Sequence, residues 1–130
     1  MLSKDTPKMP KIAIIEDDIS LADMYKIKLE SAGYECVVAY DGQAGLDMIT
    51  KTTPDLILLD LMLPQLTGSE VLEKYRKTPG GKNTKVIVLT NISEYEAPDG
   101  LYELGILRYM VKANYTPSQV VVVVQEALAA

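Results

Sequence analysis

The chain has 130 residues, 48% of them hydrophobic and 24% charged, with 13 basic against 18 acidic side chains and a formal net charge of −5. That length matches one domain with a real core and gives no reason to expect a second folded unit, and the acidic balance argues against a nucleic-acid surface, which needs a basic stripe. The single cysteine, Cys36, excludes an intrachain disulfide and reads as a buried structural thiol in a reducing compartment.

From the amino terminus, residues 1–10 place charges and prolines where a signal peptide would need an apolar stretch, so the segment reads as disordered and export is not expected. A cytoplasmic protein without a membrane role is the expectation, because the longest aliphatic run, Val120 to Val124, is far short of the ~20 residues that span a bilayer. Ile12 to Ile15 reads as a buried strand, and Ile19 to Ala32 as a helix with Leu21, Met24, Tyr25, Lys28 and Leu29 at helical spacing before Gly33. The unit then repeats. Glu35 to Ala39 is a strand, Gly42 to Lys51 a helix capped by Asp41, Asp55 to Leu59 a strand, Gly68 to Lys77 a helix, and Val86 to Leu89 a strand. A fourth, weaker helix is expected near Pro98 to Leu104, short or late because Pro98, Asp99 and Gly100 interrupt its periodicity. A strand over Leu107 to Val111 and a final helix from Pro117 complete five pairs.

Three helix starts carry capping-box arithmetic: Thr67 with Glu70, Ser93 with Glu96, and Thr116 with Gln119. Pro117 at the first helical position is why Val120 to Val124 reads as helix although β-branched residues favour strands. Alternating strands and helices with nearly continuous apolar strands predict an α/β fold: a doubly wound, five-stranded parallel sheet with helices on both faces. In such sheets the binding crevice lies outside the carboxyl ends of the strands, and Glu16, Asp17, Asp60, Thr90 and Lys112 all fall there. Asp60 is the most telling of them. A carboxylate after one buried strand, with two acids after a neighbouring one, can share a hard divalent cation and face a phosphate.

The stretches Ile14 to Asp18, Leu58 to Pro64 with Gly68, Val88 to Thr90, and Tyr109 to Lys112, in that order and at strand ends, resemble the receiver domain of two-component response regulators, the CheY-like family, over residues 11–130. The resemblance implies a strand order of 2-1-3-4-5 and a stand-alone phospho-acceptor. Asp60 would take the phosphoryl group from a partner histidine kinase or phosphotransfer protein, as a covalent aspartyl intermediate. Glu16, Asp17, Asp60 and the backbone carbonyl of Met62 would hold Mg²⁺, leaving Asp18 to cap the first helix. Lys112 would pair with Asp60 at rest and with a phosphoryl oxygen afterwards. Thr90 would bond the phosphoryl group, and Tyr109 would swing into the space that Thr90 vacates. The signal would then reach a downstream protein through the fourth helix, fifth strand and fifth helix. Whether phosphorylation also pairs two copies into a homodimer stays open, as does whether the self-directed chemistry makes the chain an enzyme.

Four positions set this chain apart within the family pattern. Ala113 stands where proline is usual, so the Lys112–Ala113 bond is expected to be trans. Asn91 replaces a small residue and would narrow access to Asp60 or bond the phosphate, and Met62 and Ile92 offer nothing to orient a hydrolytic water, which implies slow dephosphorylation. With no histidine in the chain, the phosphoryl donor must come from outside. The competing readings are a phosphorylation-independent interaction module on the same fold, and a phosphohydrolase of the haloacid-dehalogenase kind. The latter would need an acid where Met62 stands.

Overall fold

Strand residues here alternate between two apolar layers rather than between core and solvent, so every interior strand is buried on both faces. The computed structural model describes residues 9–130. The disorder expected for 1–10 falls mostly on residues 1–8, which lie outside the described residues. Pro10 already joins the fold, its carbonyl accepting from the Glu35 amide at 3.0 Å. The elements are β1 (Lys11–Ile15), α1 (Ile19–Ser31), β2 (Glu35–Ala39), α2 (Gly42–Thr52), β3 (Leu56–Leu59), α3 (Gly68–Arg76), β4 (Lys85–Thr90), β5 (Arg108–Val111) and α4 (Pro117–Ala129). The five strands form one parallel sheet in the order β2-β1-β3-β4-β5. This is the predicted doubly wound sheet. Among the described residues no helix is long and apolar enough to cross a membrane.

One layer of core packs Ile12, Ile14, Leu56, Leu58, Ile87, Leu89 and Met110 against α1 and α4. The other packs Ala13, Ile15, Ile57, Leu59, Val86 and Val88 against α2 and α3. The valine run is helical, as its Thr116 and Gln119 capping box and Pro117 predict. Val120, Val123 and Val124 are buried at i, i+3, i+4 spacing while Val122 stays half exposed, so burial of a helical stripe overrides β-branched propensity. Cys36 is buried beneath α1 with its thiol directed at the Lys26 carbonyl, and burial pushes its pKa up to about 12.

The fourth helix is not formed. Between β4 and β5 the chain makes two single 3₁₀ turns, Glu94–Glu96 and Tyr102–Leu104, instead of an α-helix over Pro98 to Leu104. Pro98 holds Ala97 in extended geometry (ψ 143°), and Gly100 and Gly105 take left-handed φ values of +83° and +80°, so no run survives long enough to nucleate a helix. The capping box expected at Ser93 is absent too: the Ser93 hydroxyl bonds the Glu96 carboxylate at 3.0 Å and caps no backbone amide. The helix expected to be fifth is therefore α4, and the surface expected to begin with a fourth helix begins with this irregular segment.

Arg76 is what ties that segment down. Its guanidinium donates to the carbonyls of Leu104 (2.8 Å), Gly81 (2.9 Å), Thr84 (2.7 Å) and Gly105 (3.2 Å), joining the end of α3 to the loops before β4 and β5. An arginine in the last turn of a helix ordinarily reads as solvated, and nothing in the local sequence marks this one as a clamp. Arg76→Met keeps much of the stem but leaves these four carbonyls, and that of Lys82 at 3.4 Å, without their charged donor. A loss of about 2–4 kcal/mol is expected from the urea midpoint and slope. A loss below about 0.5 kcal/mol would show that the guanidinium is not a clamp.

Candidate functional site at the carboxyl ends of the strands

β1 and β3 are adjacent and in register, Ile15 opposite Leu59, so the residues that follow them leave the sheet side by side. Glu16 and Asp60 are those residues. The Glu16 amide donates to the Ala39 carbonyl of β2 (3.1 Å) and the Asp60 amide to the Ile15 carbonyl of β1 (3.1 Å), which extends the ladder by one residue and fixes both backbones. Their side chains are only 3% and 4% exposed.

The loop after Asp60 is held by close backbone packing. The Gly68 amide donates to the Leu61 carbonyl, and a Cβ at Gly68 would stand 2.1 Å from the Asp60 carbonyl oxygen, a distance no side chain can share. Gly42, at the start of α2, donates to the Pro64 carbonyl at 2.9 Å and in the same way leaves no room for a Cβ beside Leu66. Two helix starts therefore press on the loop that carries Asp60.

Lys112 follows β5, opening a 3₁₀ turn (Lys112–Asn114), and reaches back into the cluster. Its Nζ lies 2.7 Å from Asp60 Oδ2, the pairing the resemblance implies, and 2.5 Å from Glu16 Oε1, a contact the sequence reading missed. The peptide after Lys112 is trans, since no described peptide bond is cis. Asp60 Oδ1 accepts from the Met62 amide at 3.1 Å, and Glu16 Oε2 from the Asp18 amide at 3.0 Å. Asp18 itself caps α1, accepting from the Leu21 amide at 3.1 Å, which is the structural role expected of it. Carboxylate oxygens of Glu16, Asp17 and Asp60 lie within 4.8 Å of one another, with Asp17 exposed.

Burial raises the pKa of Glu16 above 4.5, opposed by the hydrogen bond from Lys112 and by the Asp18 amide. Burial also acts on Lys112, to lower its pKa, but hydrogen bonds to Asp60 and Glu16 outweigh it, and the value rises above 10.5. The ammonium therefore stays charged at neutral pH.

A cleft of about 330 Å³ opens over these groups, lined by Asp60, Glu16, Asp17, Lys112, Met62 and Asn91, among others. Asn91 forms part of that wall. Thr90 and Tyr109 do not line this cleft. Thr90 is fully buried at the end of β4, its hydroxyl 3.5 Å from the Ile92 amide. Tyr109 is half-buried beside it, its hydroxyl donating to the carbonyls of Ile92 (2.8 Å) and Ser93 (3.3 Å). The two share the Ile92 backbone, one at its amide and the other at its carbonyl.

Lys112→Met would remove the only ammonium in contact with Glu16 and Asp60 among the described residues. In metal-free buffer at neutral pH, a loss of about 3–5 kcal/mol is expected, because two buried carboxylates would lose their counter-charge. A carboxyl whose folded pKa lies above its unfolded value adds stability in its protonated form, and that contribution fades as pH rises through the folded value. Removing Lys112 raises Glu16 further, so the cost of the substitution should shrink as pH falls from 7.5 toward 4.5. Denaturation curves giving an equal cost at both pH values would contradict this pairing.

Known proteins share this fold. A family model described as the response regulator receiver domain matches residues 12–125. The chain is 36% identical over 104 residues to the DNA-binding dual master transcriptional regulator RpaA of Synechocystis sp., covering 80% of this chain and 43% of that protein. It is 39% identical over 105 residues to the response regulator ArlR of Staphylococcus saprophyticus, covering 80% of this chain and 46% of that one. It thus spans less than half the length of these relatives. Its fold superimposes on the chemotaxis response regulator CheY4 of Vibrio cholerae with a TM-score of 0.83 at 28% identity, covering 92% of this chain and 98% of that one. The chain belongs to the response regulator receiver domain family, the one its sequence motifs resemble.

Proposed function

We propose that this receiver unit accepts a phosphoryl group on Asp60 from a histidine kinase or phosphotransfer protein, in a Mg²⁺-dependent reaction, and passes the change on through protein contact. The observation that carries the reading is the convergence of Glu16, Asp17 and Asp60 within 4.8 Å, with Lys112 2.7 Å from Asp60. Three carboxylates against one ammonium leave a local excess of two negative charges, which a hard divalent cation with oxygen preference would match. Glu16, Asp17, Asp60 and the Met62 carbonyl are the groups that would hold it. Bound Mg²⁺ would supply positive charge to the transferring phosphoryl oxygens.

In the transfer, an Asp60 carboxylate oxygen forms a bond to phosphorus as the donor's nitrogen–phosphorus bond breaks, leaving an acyl phosphate on Asp60. Lys112 would then exchange part of its carboxylate contact for a phosphoryl oxygen and stabilise the charge that spreads there. Thr90 would offer its hydroxyl to the same group by giving up the Ile92 amide, and Tyr109, bonded to the Ile92 carbonyl, would feel that change. A cytoplasmic location and protein rather than nucleic-acid partners belong to this reading, the latter in keeping with the acidic formal net charge of −5. What relatives bind over their full length is not carried over. A phosphorylation-independent interaction module is the second reading, favoured by the replacement of the fourth helix with 3₁₀ turns.

Incubation with acetyl phosphate and Mg²⁺ followed by intact-mass measurement separates the two. One added phosphoryl group is expected for the wild type and none for Asp60→Asn or for wild type without Mg²⁺. No mass gain at any time, with folded protein, would favour the constitutive module. Decay of the adduct should be slow, because Met62 places a thioether rather than a water-orienting group in the cleft. Met62→Asn should shorten the lifetime by at least about tenfold, and an unchanged lifetime would discard the assignment of Met62.

A further inference from the structure

Next to the Asp60 cleft lies a second, larger hollow of about 680 Å³. Leu61 and Leu63, from the loop between β3 and α3, face Ile92 and Pro98 across it. Those last two belong to the segment that fails to form a helix, so the hollow lies where this chain departs from the regular fold. Met62, 59% exposed, stands at its edge. Asp17 and Glu70 are the charged residues that line it, and no basic side chain does among the described residues. Beyond Ile92, the exposed Glu94, Glu96 and Asp99 add further negative charge, and residues 93–100 contain no lysine or arginine. A basic cluster, Arg76, Lys82 and Lys85, lines a separate hollow at the other end of β4, together with Glu103, and Lys74 on α3 is the basic residue that acts on Glu70.

An apolar floor with an acidic rim selects one kind of occupant. A bare cation would leave the floor wet, and a purely apolar group would leave the negative charge of the rim unmatched. A chain segment that places an aliphatic side chain beside lysine or arginine satisfies both, because such stems lie on apolar surface while their charged heads reach the rim.

Two walls of this groove are hydrogen-bonded to the groups around Asp60. The Met62 amide donates to Asp60 Oδ1 at 3.1 Å. The Ile92 amide lies 3.5 Å from the Thr90 hydroxyl, and the Ile92 carbonyl accepts from Tyr109 at 2.8 Å. Any change at Asp60 that draws on those bonds moves the walls, and by reciprocity an occupant that fixes the walls alters the energetics at Asp60. We propose that this groove docks a cationic, aliphatic segment of a partner protein, and that docking is linked to the state of Asp60. The linkage rests on the reading of Asp60 as phosphoryl acceptor; the docking does not.

The test is a titration of ¹⁵N-labelled protein with a capped Lys-Leu-Lys-Leu-Lys peptide and with its glutamate counterpart, followed by two-dimensional NMR. Saturable shifts at Leu61, Met62, Leu63, Glu70 and Ile92 are expected with the basic peptide alone. Affinity should fall about tenfold in Ile92→Lys and about threefold in Glu70→Gln, which keeps the capping residue of α3 and removes its charge. Shifts confined to other surfaces, equal binding of the two peptides, or unchanged affinity in both variants would overturn the docking. The titration is then repeated on protein phosphorylated with acetyl phosphate, with occupancy checked by mass. An affinity change of at least about threefold is expected. Equal affinity overturns the linkage alone, and failure of Asp60 to take up phosphate removes the linkage together with that reading while the docking result stands.

Discussion

Two buried carboxylates share one ammonium, and the functional end of this molecule is arranged around that fact. Glu16 and Asp60 are nearly inaccessible, yet neither is left unpaired, because Lys112 stands 2.5 Å from one and 2.7 Å from the other. Removing such charges from water is expensive, and the attraction offsets that cost only where the geometry is good and the remaining lone pairs are filled. Here the Met62 and Asp18 amides fill them. Three segments distant in sequence, following β1, β3 and β5, are thereby held to one point. The parallel sheet supplies the alignment, and Gly68 and Gly42 supply the close packing that seats the Asp60 loop.

The parallel sheet and its two-faced burial were legible because each strand is a short apolar run and each helix repeats apolar residues at helical spacing, while the strand order came from the family resemblance. The valine run was the hard case. Its β-branched composition opposes a helix, but Pro117, the Thr116 and Gln119 box and the burial of Val120, Val123 and Val124 on one stripe outweigh it. The places of Asp60, Glu16 and Lys112 at strand ends were legible, since topology carries such residues to one edge, but a lone lysine there reads as solvated and Lys112 stood out only through the family resemblance. Other features were not. The Glu16 to Lys112 contact depends on where a flexible side chain settles, and the Arg76 clamp depends on loops whose paths no local pattern predicts. The fourth helix failed for a local reason that the sequence does display, Pro98 and Gly100, although it was expected to shorten the helix rather than abolish it.

That irregular segment gives this receiver its own character. With no helix there, Ile92 and Pro98 face Leu61 and Leu63 across an open apolar groove, and Leu101 alone from the segment is fully buried against the sheet. Arg76 holds the far end of the segment through the Leu104 and Gly105 carbonyls, while Tyr109 holds its near end through Ile92 and Ser93. The middle, around Glu94 to Gly100, has few buried contacts and is the part most free to rearrange when its near anchor changes. A signal beginning at Asp60 would thus meet its most adaptable neighbour within a few residues.

The central claim is that Glu16, Asp17 and Asp60 form one divalent-cation site that Lys112 alone does not neutralise. Calorimetric titration of the unphosphorylated chain with magnesium chloride tests it most directly. The account predicts one Mg²⁺ per chain, with affinity weakened at least about tenfold in Asp17→Asn, a change at an exposed side chain that leaves the core untouched. Absence of Mg²⁺ binding, or the same affinity in Asp17→Asn as in the wild type, would contradict it.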